Sequence, residues 1–492
     1  MAQLSVLSQD SSSPAPQAAS CSDAVARSFQ RLKQGYAGER DPSLAARLDR
    51  LRRLERMLQR STDELLVAID EDFRGRSRVE TLAIEVTLPV MAVRHAARHL
   101  RSWMKPETVA PAWYLRPSSA RIERQPKGVI GVIAPWNYPV LLAVGPMIDA
   151  LAAGNRVLLK PSELTPRTAA LLASLLRESF AADEVGVVTG GPEVARAVSS
   201  LPLDHLVFTG STRVGREVAA AAAPNLVPLT LELGGKSPAV VHESYPVERA
   251  AERIAVARLF NAGQTCIAAD YAIVHPDRER AFVDAWLRFV ERGFGDLATS
   301  RDYTAIATER HRDKLEAMLE DAEAKGARVV RADPQGTLAR RQPRMAPALV
   351  LDVKPGMLVM EEEIFGPILP VVTAATVDEA IDFINARPRP LAAYYFDDDA
   401  ARAQRFVRST CSGGVTLNDA ALHFFNDELP FGGVGASGMG AYHGHAGFKA
   451  FSHEKSVFSP GPFARLLRQP FPAVVEQGLR ALIAGKRLGR KR

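Results

Sequence analysis

Between residues 127 and 232 the chain alternates short apolar runs with helical stretches of about ten residues, and no other feature narrows the possible folds so far. The runs are Val129–Ala134, Arg156–Leu159, Val185–Val188, His205–Phe208 and Val227–Leu231. Parallel strands need a crossover between them, and a helix of that length supplies it. The expected product is an α/β fold built on a doubly wound parallel sheet of the nucleotide-binding type.

The flanking segments fit around that sheet. Residues 23–104 read as helical, with Leu48, Leu51, Leu54 and Leu58 on one stripe and Ser43 as N-cap. Together with 127–232 they form the expected nucleotide-binding domain. Residues 105–126 carry four prolines and read as an arm. Residues 233–425 form a second α/β domain, with a helix before Cys266, a strand near Tyr271–Val274 and a charged helix around His311–Gly326. Segments 105–126 and 441–458 read as extended, a small β-ribbon best stabilised by a neighbouring subunit, which predicts a homodimer. Residues 1–22 read as a disordered lead. In the tail, 459–492, Phe471, Val474, Val475, Leu479, Leu482 and Ile483 have helical spacing and precede a basic end. That helix is expected to pack on the protein; the rival reading is a peripheral contact with an anionic membrane.

Bulk properties exclude several classes. A chain of 492 residues with 47% apolar content suits a soluble enzyme of two or three domains. The formal charge of +6 hints at nucleic acid, but Lys486, Arg487, Arg490, Lys491 and Arg492 carry nearly all of it. A nearly neutral body offers no basic face to a duplex. The three cysteines, Cys21, Cys266 and Cys411, have no CxxC or Cys/His ligand spacing, so neither a disulfide framework nor a structural metal is expected. A reducing, cytoplasmic setting follows, and the N-terminus lacks the basic and apolar regions of a secretory signal. The apolar stretch from Val129 to Ala153 is broken by Pro135, Asn137, Pro139, Pro146 and Asp149, which favours a buried strand and helix over a membrane span.

Chemistry concentrates in a few short motifs. Phe260-Asn261-Ala262-Gly263-Gln264-Thr265-Cys266 offers a thiol, and Leu231-Glu232-Leu233-Gly234-Gly235-Lys236 offers a carboxylate. A thiolate that adds to a carbonyl and a base that later deprotonates water suit that pair; an inert buried cysteine is the plainer alternative. Asn137, in Ala134-Pro135-Trp136-Asn137-Tyr138-Pro139 at a strand end, is either an oxyanion donor or a turn residue between prolines. Lys160-Pro161-Ser162-Glu163 supplies a cation and an acid for ribose hydroxyls, or a surface salt bridge. Gly210, Ser211 and Gly215, at a strand-to-helix turn, allow a pyrophosphate to approach, although the spacing is not GxGxxG. Glu363-Ile364-Phe365-Gly366-Pro367 sets an acid two residues before an aromatic ring, suited to a nicotinamide ribose or to a solvated acidic turn.

In this order the motifs resemble the aldehyde dehydrogenase superfamily, from about residue 25 to 458. The stretch Leu429–Gly440, then Ala441-Tyr442-His443-Gly444 and Phe451-Ser452-His453, is similar to its class 3 branch and to bacterial coniferyl aldehyde dehydrogenases. The resemblance implies Cys266 as nucleophile, Glu232 as general base and Asn137 as oxyanion donor. It implies Trp136, Lys160, Glu163, Gly210, Ser211, Gly215, Glu363 and Phe365 around NAD, with NADP as a weaker substitute, and it also implies a homodimer. The expected reaction is oxidation of an aldehyde to its acid through a thiohemiacetal and a thioester on Cys266. An aromatic aldehyde such as coniferyl aldehyde is the first expectation for substrate, with medium- or long-chain aliphatic aldehydes second. A cofactor-independent cysteine acyl hydrolase is a remote alternative, and a non-catalytic scaffold would not need all three catalytic groups.

Overall fold

The structure of the chain is a computed structural model that describes residues 21–333, 338, 343–462, 470–471 and 473–484. The five apolar runs become strands Val129–Ile133, Arg156–Lys160, Val185–Val187, His205–Gly210 and Leu229–Leu233, all paired in parallel. Their side chains alternate between two cores. Val129, Ile133 and Leu158 face the cluster that holds Val25, Phe29 and Leu32, whereas Ile130, Val132, Val157 and Leu159 face the one that holds Ala143, Met147 and Leu172. Burial on both faces explains why these strands read as continuous apolar runs.

Across the sheet the order runs Leu229–Leu233, His205–Gly210, Val129–Ile133, Arg156–Lys160, Val185–Val187. Chain direction across the sheet reverses between Val129–Ile133 and His205–Gly210. A crevice opens at the carboxyl ends of strands at such a switch point, and ligands of open α/β sheets bind there. A sixth strand, Gly438–Met439, adds antiparallel to the edge and pairs Gly438 with Glu232. Only glycine fits at 438, where φ is 145° and a Cβ would lie 2.1 Å from the Leu231 carbonyl oxygen.

The second sheet has seven strands in the order Arg328–Arg331, Ala348–Leu351, Ile368–Thr373, Tyr271–Val274, Pro238–Val241, Ala392–Phe396, Gly414–Leu417. All neighbours are parallel except the first pair. Strand Tyr271–Val274 and helix Glu309–Ala324 lie where the sequence puts them. Ser43 caps helix Leu44–Arg60, accepting the Ala46 N–H at 3.2 Å. The third sheet is antiparallel and joins Glu107–Val109, Ser119–Pro126 and Ser452–Ser459.

Three expectations need correction. Segment 441–458 is not extended throughout: Gly444–Ala450 is a helix, and the strand begins at Ser452. The lead does not reach residue 22, because a helix already starts at Cys21; residues 1–20 lie outside the described residues. The tail helix forms, as Ala473–Ile483, but does not pack on the body. Phe471, Val474, Leu479, Leu482 and Ile483 are all exposed. The five terminal positives lie outside the described residues. No helix among the described residues is long and apolar enough to cross a membrane.

Candidate active site

Cys266 sits on a turn that few sequences can adopt. After helix Val247–Leu259 the backbone enters the left-handed region three times running, at Asn261 (φ 50°), Ala262 (φ 52°) and Gly263 (φ 77°). At position 263 a Cβ would stand 2.3 Å from the Gly366 carbonyl oxygen, so glycine is required by both space and torsion. The close approach brings segment Glu363–Gly366 against the cysteine turn.

Gln264, fully buried, holds the turn in place. Its Nε2 donates to the carbonyls of Asn261 (2.9 Å) and Ala305 (3.0 Å), and its Oε1 accepts the Ala307 N–H at 2.9 Å. The Gln264 backbone carbonyl accepts from Asn137 Nδ2 at 3.1 Å and from Asn261 Nδ2 at 3.2 Å. Asn137 comes from the other domain, just past strand Val129–Ile133, and its amide therefore lies beside the cysteine turn. One of its two N–H bonds is taken by Gln264.

Glu232, at the end of strand Leu229–Leu233, is buried with neither carboxylate oxygen hydrogen-bonded. Burial pushes its pKa well above the ordinary carboxylate value. The half-buried Cys266 thiol is pushed up to about 12, first by burial and then by the charges of Glu363 and Glu232. Glu363 itself is pushed up to about 8, by burial and then by Asp270, against a hydrogen bond with Gly235. Its carboxylate presses on Gly234, where a Cβ would fall 1.9 Å from Oε2. The thiol and the two acids thus lie close enough for their charges to interact.

Of the remaining expected residues, Trp136 and Phe365 meet edge to face, with ring centroids 5.5 Å apart. His311 joins them, 5.9 Å from Trp136, and its Nε2 lies 2.7 Å from the Phe365 carbonyl oxygen. Phe365 holds φ at 58°, which turns it back toward Trp136. Lys160, buried at the end of its strand, forms an ion pair with the half-exposed Glu163. This pair forms a separate cluster along the same row of strand ends. Gly210 and Gly215 border the crevice, where Ser211 caps helix Thr212–Ala222 through the Val214 N–H at 3.4 Å. A Cβ on Gly215 would meet Leu233 at 2.7 Å, which keeps that helix close to the sheet.

The supporting groups were not legible as motifs. Arg76 Nη1 donates to the Asn137 carbonyl at 2.7 Å, stacks on Phe73 and Tyr138, and pairs with fully buried Glu85 at 3.4 Å. Glu85 in turn accepts the N–H groups of Val140 and Leu141. Asp270 binds Arg258, Lys236 and the Ile364 N–H together, and Lys236 also donates to the carbonyls of Val359 and Glu362. These partners come from distant parts of the chain, and no local spacing announces them. Asn261, Gln264, Lys236, Tyr138 and Ile364 stood inside motifs already singled out, but Arg76, Glu85, Arg258 and Asp270 did not. Burial raises the pKa of Tyr442, and the nearby charges of Glu232 and Cys266 add to the rise. Tyr442, His443, Phe431 and Phe424 form one aromatic wall, with centroids 4.7–6.3 Å apart. A cavity lined by Leu88, Met91, Leu141, Phe424, Phe425 and His443 opens along it.

Known proteins resemble this chain over nearly its whole length. A probable coniferyl aldehyde dehydrogenase of Pseudomonas aeruginosa is 47% identical over 91% of this chain and 94% of its own length. A coniferyl aldehyde dehydrogenase of a Pseudomonas species is 42% identical over 93% and 95%. The solved substrate-bound aldehyde dehydrogenase AldH of Staphylococcus aureus superposes with a TM-score of 0.87 at 36% identity, covering 93% of this chain and 99% of that one. The model of the aldehyde dehydrogenase family matches residues 11–457, and the chain belongs to that family, whose activity is the NAD(P)-dependent oxidation of aldehydes.

Proposed function

We propose that this enzyme oxidises aromatic aldehydes, coniferyl aldehyde among them, to the carboxylic acid, with NAD preferred over NADP. The observation that carries the reading is a thiol, an unpaired buried carboxylate and a carboxamide converging on one cleft between a nucleotide-binding crevice and an aromatic wall. The aromatic wall suits a planar substrate ring. The relatives named for coniferyl aldehyde support the same choice.

The residues present fit a dinucleotide. A helix N-terminus faces the switch-point crevice, and Gly215 lets that helix lie close against Leu233 of the sheet. Lys160 and Glu163 would take the adenosine ribose, Gly210, Ser211 and Gly215 the pyrophosphate, and Trp136, Glu363 and Phe365 the nicotinamide end. Glu163 favours a free ribose hydroxyl over a 2′-phosphate, which is the basis for preferring NAD. When bound, the nicotinamide accepts the hydride that leaves the substrate carbon.

The chain's own groups perform the other steps. Cys266 Sγ, as the thiolate, adds to the aldehyde carbon and forms a thiohemiacetal oxyanion. The free N–H of Asn137 Nδ2 donates to that oxygen, with its direction fixed by the bond to Gln264. Loss of hydride leaves a thioester on Cys266. Glu232 then removes a proton from water, the water oxygen attacks the thioester, and acid is released as the thiolate leaves. Because Cys266 must remain a thiol, the reaction suits a reducing compartment such as the cytoplasm.

The homodimer rests on the third sheet. Strand Ser452–Ser459 is its outer edge, eight residues long and largely exposed, and such an edge readily pairs with a second chain.

A steady-state screen of aromatic and aliphatic aldehydes with both cofactors tests the reading. The highest kcat/KM is expected for aromatic aldehydes with NAD; a preference for long-chain aliphatic aldehydes, or for NADP by about tenfold, would overturn it. In rapid-mixing experiments Cys266→Ala should abolish NADH formation while NAD still binds. Glu232→Gln should keep the initial NADH burst and lose steady turnover, whereas loss of the burst would move Glu232 to an earlier step. The pKa of Cys266 predicts its reactivity in the cofactor-free enzyme. Alkylation by iodoacetamide should rise with pH through the alkaline range. Because the charge of Glu363 raises that pKa, Glu363→Gln should speed alkylation at pH 8 by roughly three- to tenfold. An unchanged rate would remove Glu363 from the causes of that shift. Sedimentation should report a dimer, and a proline at the edge position Ser456 should shift it toward monomer.

A further inference from the structure

Near the cavity that opens along the aromatic wall, two histidines and a glutamate that play no part in the chemistry above come together. His95 and His99 lie one turn apart on helix Leu88–Trp103, and Glu428 reaches them from the turn Asn426–Leu429. One ligand atom from each of the three lies within 4.8 Å of the other two.

The rings are set up as ligands. His99 Nδ1 sits 2.9 Å from the His95 carbonyl oxygen, so Nδ1 carries the proton and the Nε2 lone pair is free. Metal-binding histidines are commonly fixed in this way, the second ring nitrogen donating to a carbonyl. Stacking on Trp103, at 5.9 Å and 16°, holds the His99 ring plane, and His445 stacks on Trp103 at 5.7 Å and 17°. His95 is only 9% exposed, yet its Nε2 has no hydrogen-bond partner. The nearest acceptor, Glu428 Oε1, is 3.6 Å away, too long for a hydrogen bond. A buried ring nitrogen left without a partner is costly and needs a reason.

We infer that His95, His99 and Glu428 form a binding site for one divalent first-row transition ion of the zinc class. Two histidines at i and i+4 on one helix face with a carboxylate from another segment suit tetrahedral coordination, with water as the fourth ligand. Metal–nitrogen bonds of about 2.0–2.1 Å bring ligand atoms to about 3.3 Å from each other. Glu428, largely exposed, can close its part of the difference by side-chain rotation. The ion would fasten the 426–429 turn to the helix. The same turn follows Phe424 and Phe425, and Asp427 shares the lining of the cavity along the aromatic wall with Leu88 and Met91 of that helix.

Cobalt(II) titration of the untagged, metal-stripped, full-length protein tests the site. To keep the active-site thiol from acting as a ligand, the titration is done in the Cys266→Ala background. One equivalent of Co²⁺ is expected to give the visible ligand-field bands of a four-coordinate ion, displaced by Zn²⁺. His99→Ala and Glu428→Gln alter exposed or half-buried side chains and leave folding intact; each should weaken binding by about tenfold or more, and His95→Ala should abolish it. Absence of the bands, or bands that survive both His95→Ala and His99→Ala, would overturn the site.

Discussion

The candidate site depends on the hydrogen bonds of one buried residue, Gln264. Its side chain ties its own turn, through Asn261, to the loop at Ala305 and Ala307, and its backbone carbonyl accepts from Asn137 just past strand Val129–Ile133. Every polar atom of its side chain is used, although Asn261 Oδ1 in the same turn has no partner. These bonds help to hold the left-handed Asn261 and Ala262, since a non-glycine residue in that region costs about 1–3 kcal/mol unless its surroundings impose it. A thiol on a free loop would have no fixed relation to Asn137. Here the thiol and the carboxamide share one backbone carbonyl as their reference point.

Buried charge fixes the second segment of the cleft. Asp270 gathers Arg258, Lys236 and the Ile364 N–H, and so determines where Glu363 and Phe365 stand. Across the cleft Arg76 and Glu85 do the same for Asn137 and Leu141. Buried pairs of this kind contribute little net stability, yet removing one partner costs about 3–5 kcal/mol because it strands the other. Their value here is position. Both pairs clamp backbone groups next to reacting side chains, and neither touches the sulfur.

The sequence was most readable where periodicity and burial coincide. Five strands buried on both faces, a capped amphipathic helix and the strand at Tyr271 could all be placed because each follows from local pattern and solvent. The glycine motifs also carried their meaning, since Gly263 and Gly234 have contacts that exclude any side chain. Local pattern failed where the deciding partner is remote. Gly444–Ala450 contains two glycines and reads as ribbon, but it is helical because Phe448 is buried and Gly447 lies against Asp149 of a different helix. The tail misled in the opposite direction. Its apolar spacing correctly announced a helix, but spacing alone cannot say that the body offers a surface to receive it. Arg76 and Glu85 left no trace at all, because a single buried pair has no period.

Glu232 is best understood against the chain's other buried acids. Glu85 has Arg76 and two backbone N–H groups, Asp270 has two cations, and Glu184 has Arg50 and Arg53, which lower its pKa to about 2. Asp149 accepts at least the His443 N–H. Glu232 has neither a cation nor a donor, although the fold supplies partners to its counterparts. A cation at that position would stabilise the protein and hold the carboxylate as a weak base. Burial without a partner does the reverse: it raises the pKa and with it the affinity for a proton, which is what deprotonating water requires. Gly438, paired to Glu232 across the sheet edge, adds no side chain that could quench it. An unpartnered buried carboxylate costs stability, and its place beside a thiol supports the proposed role of Glu232 as general base.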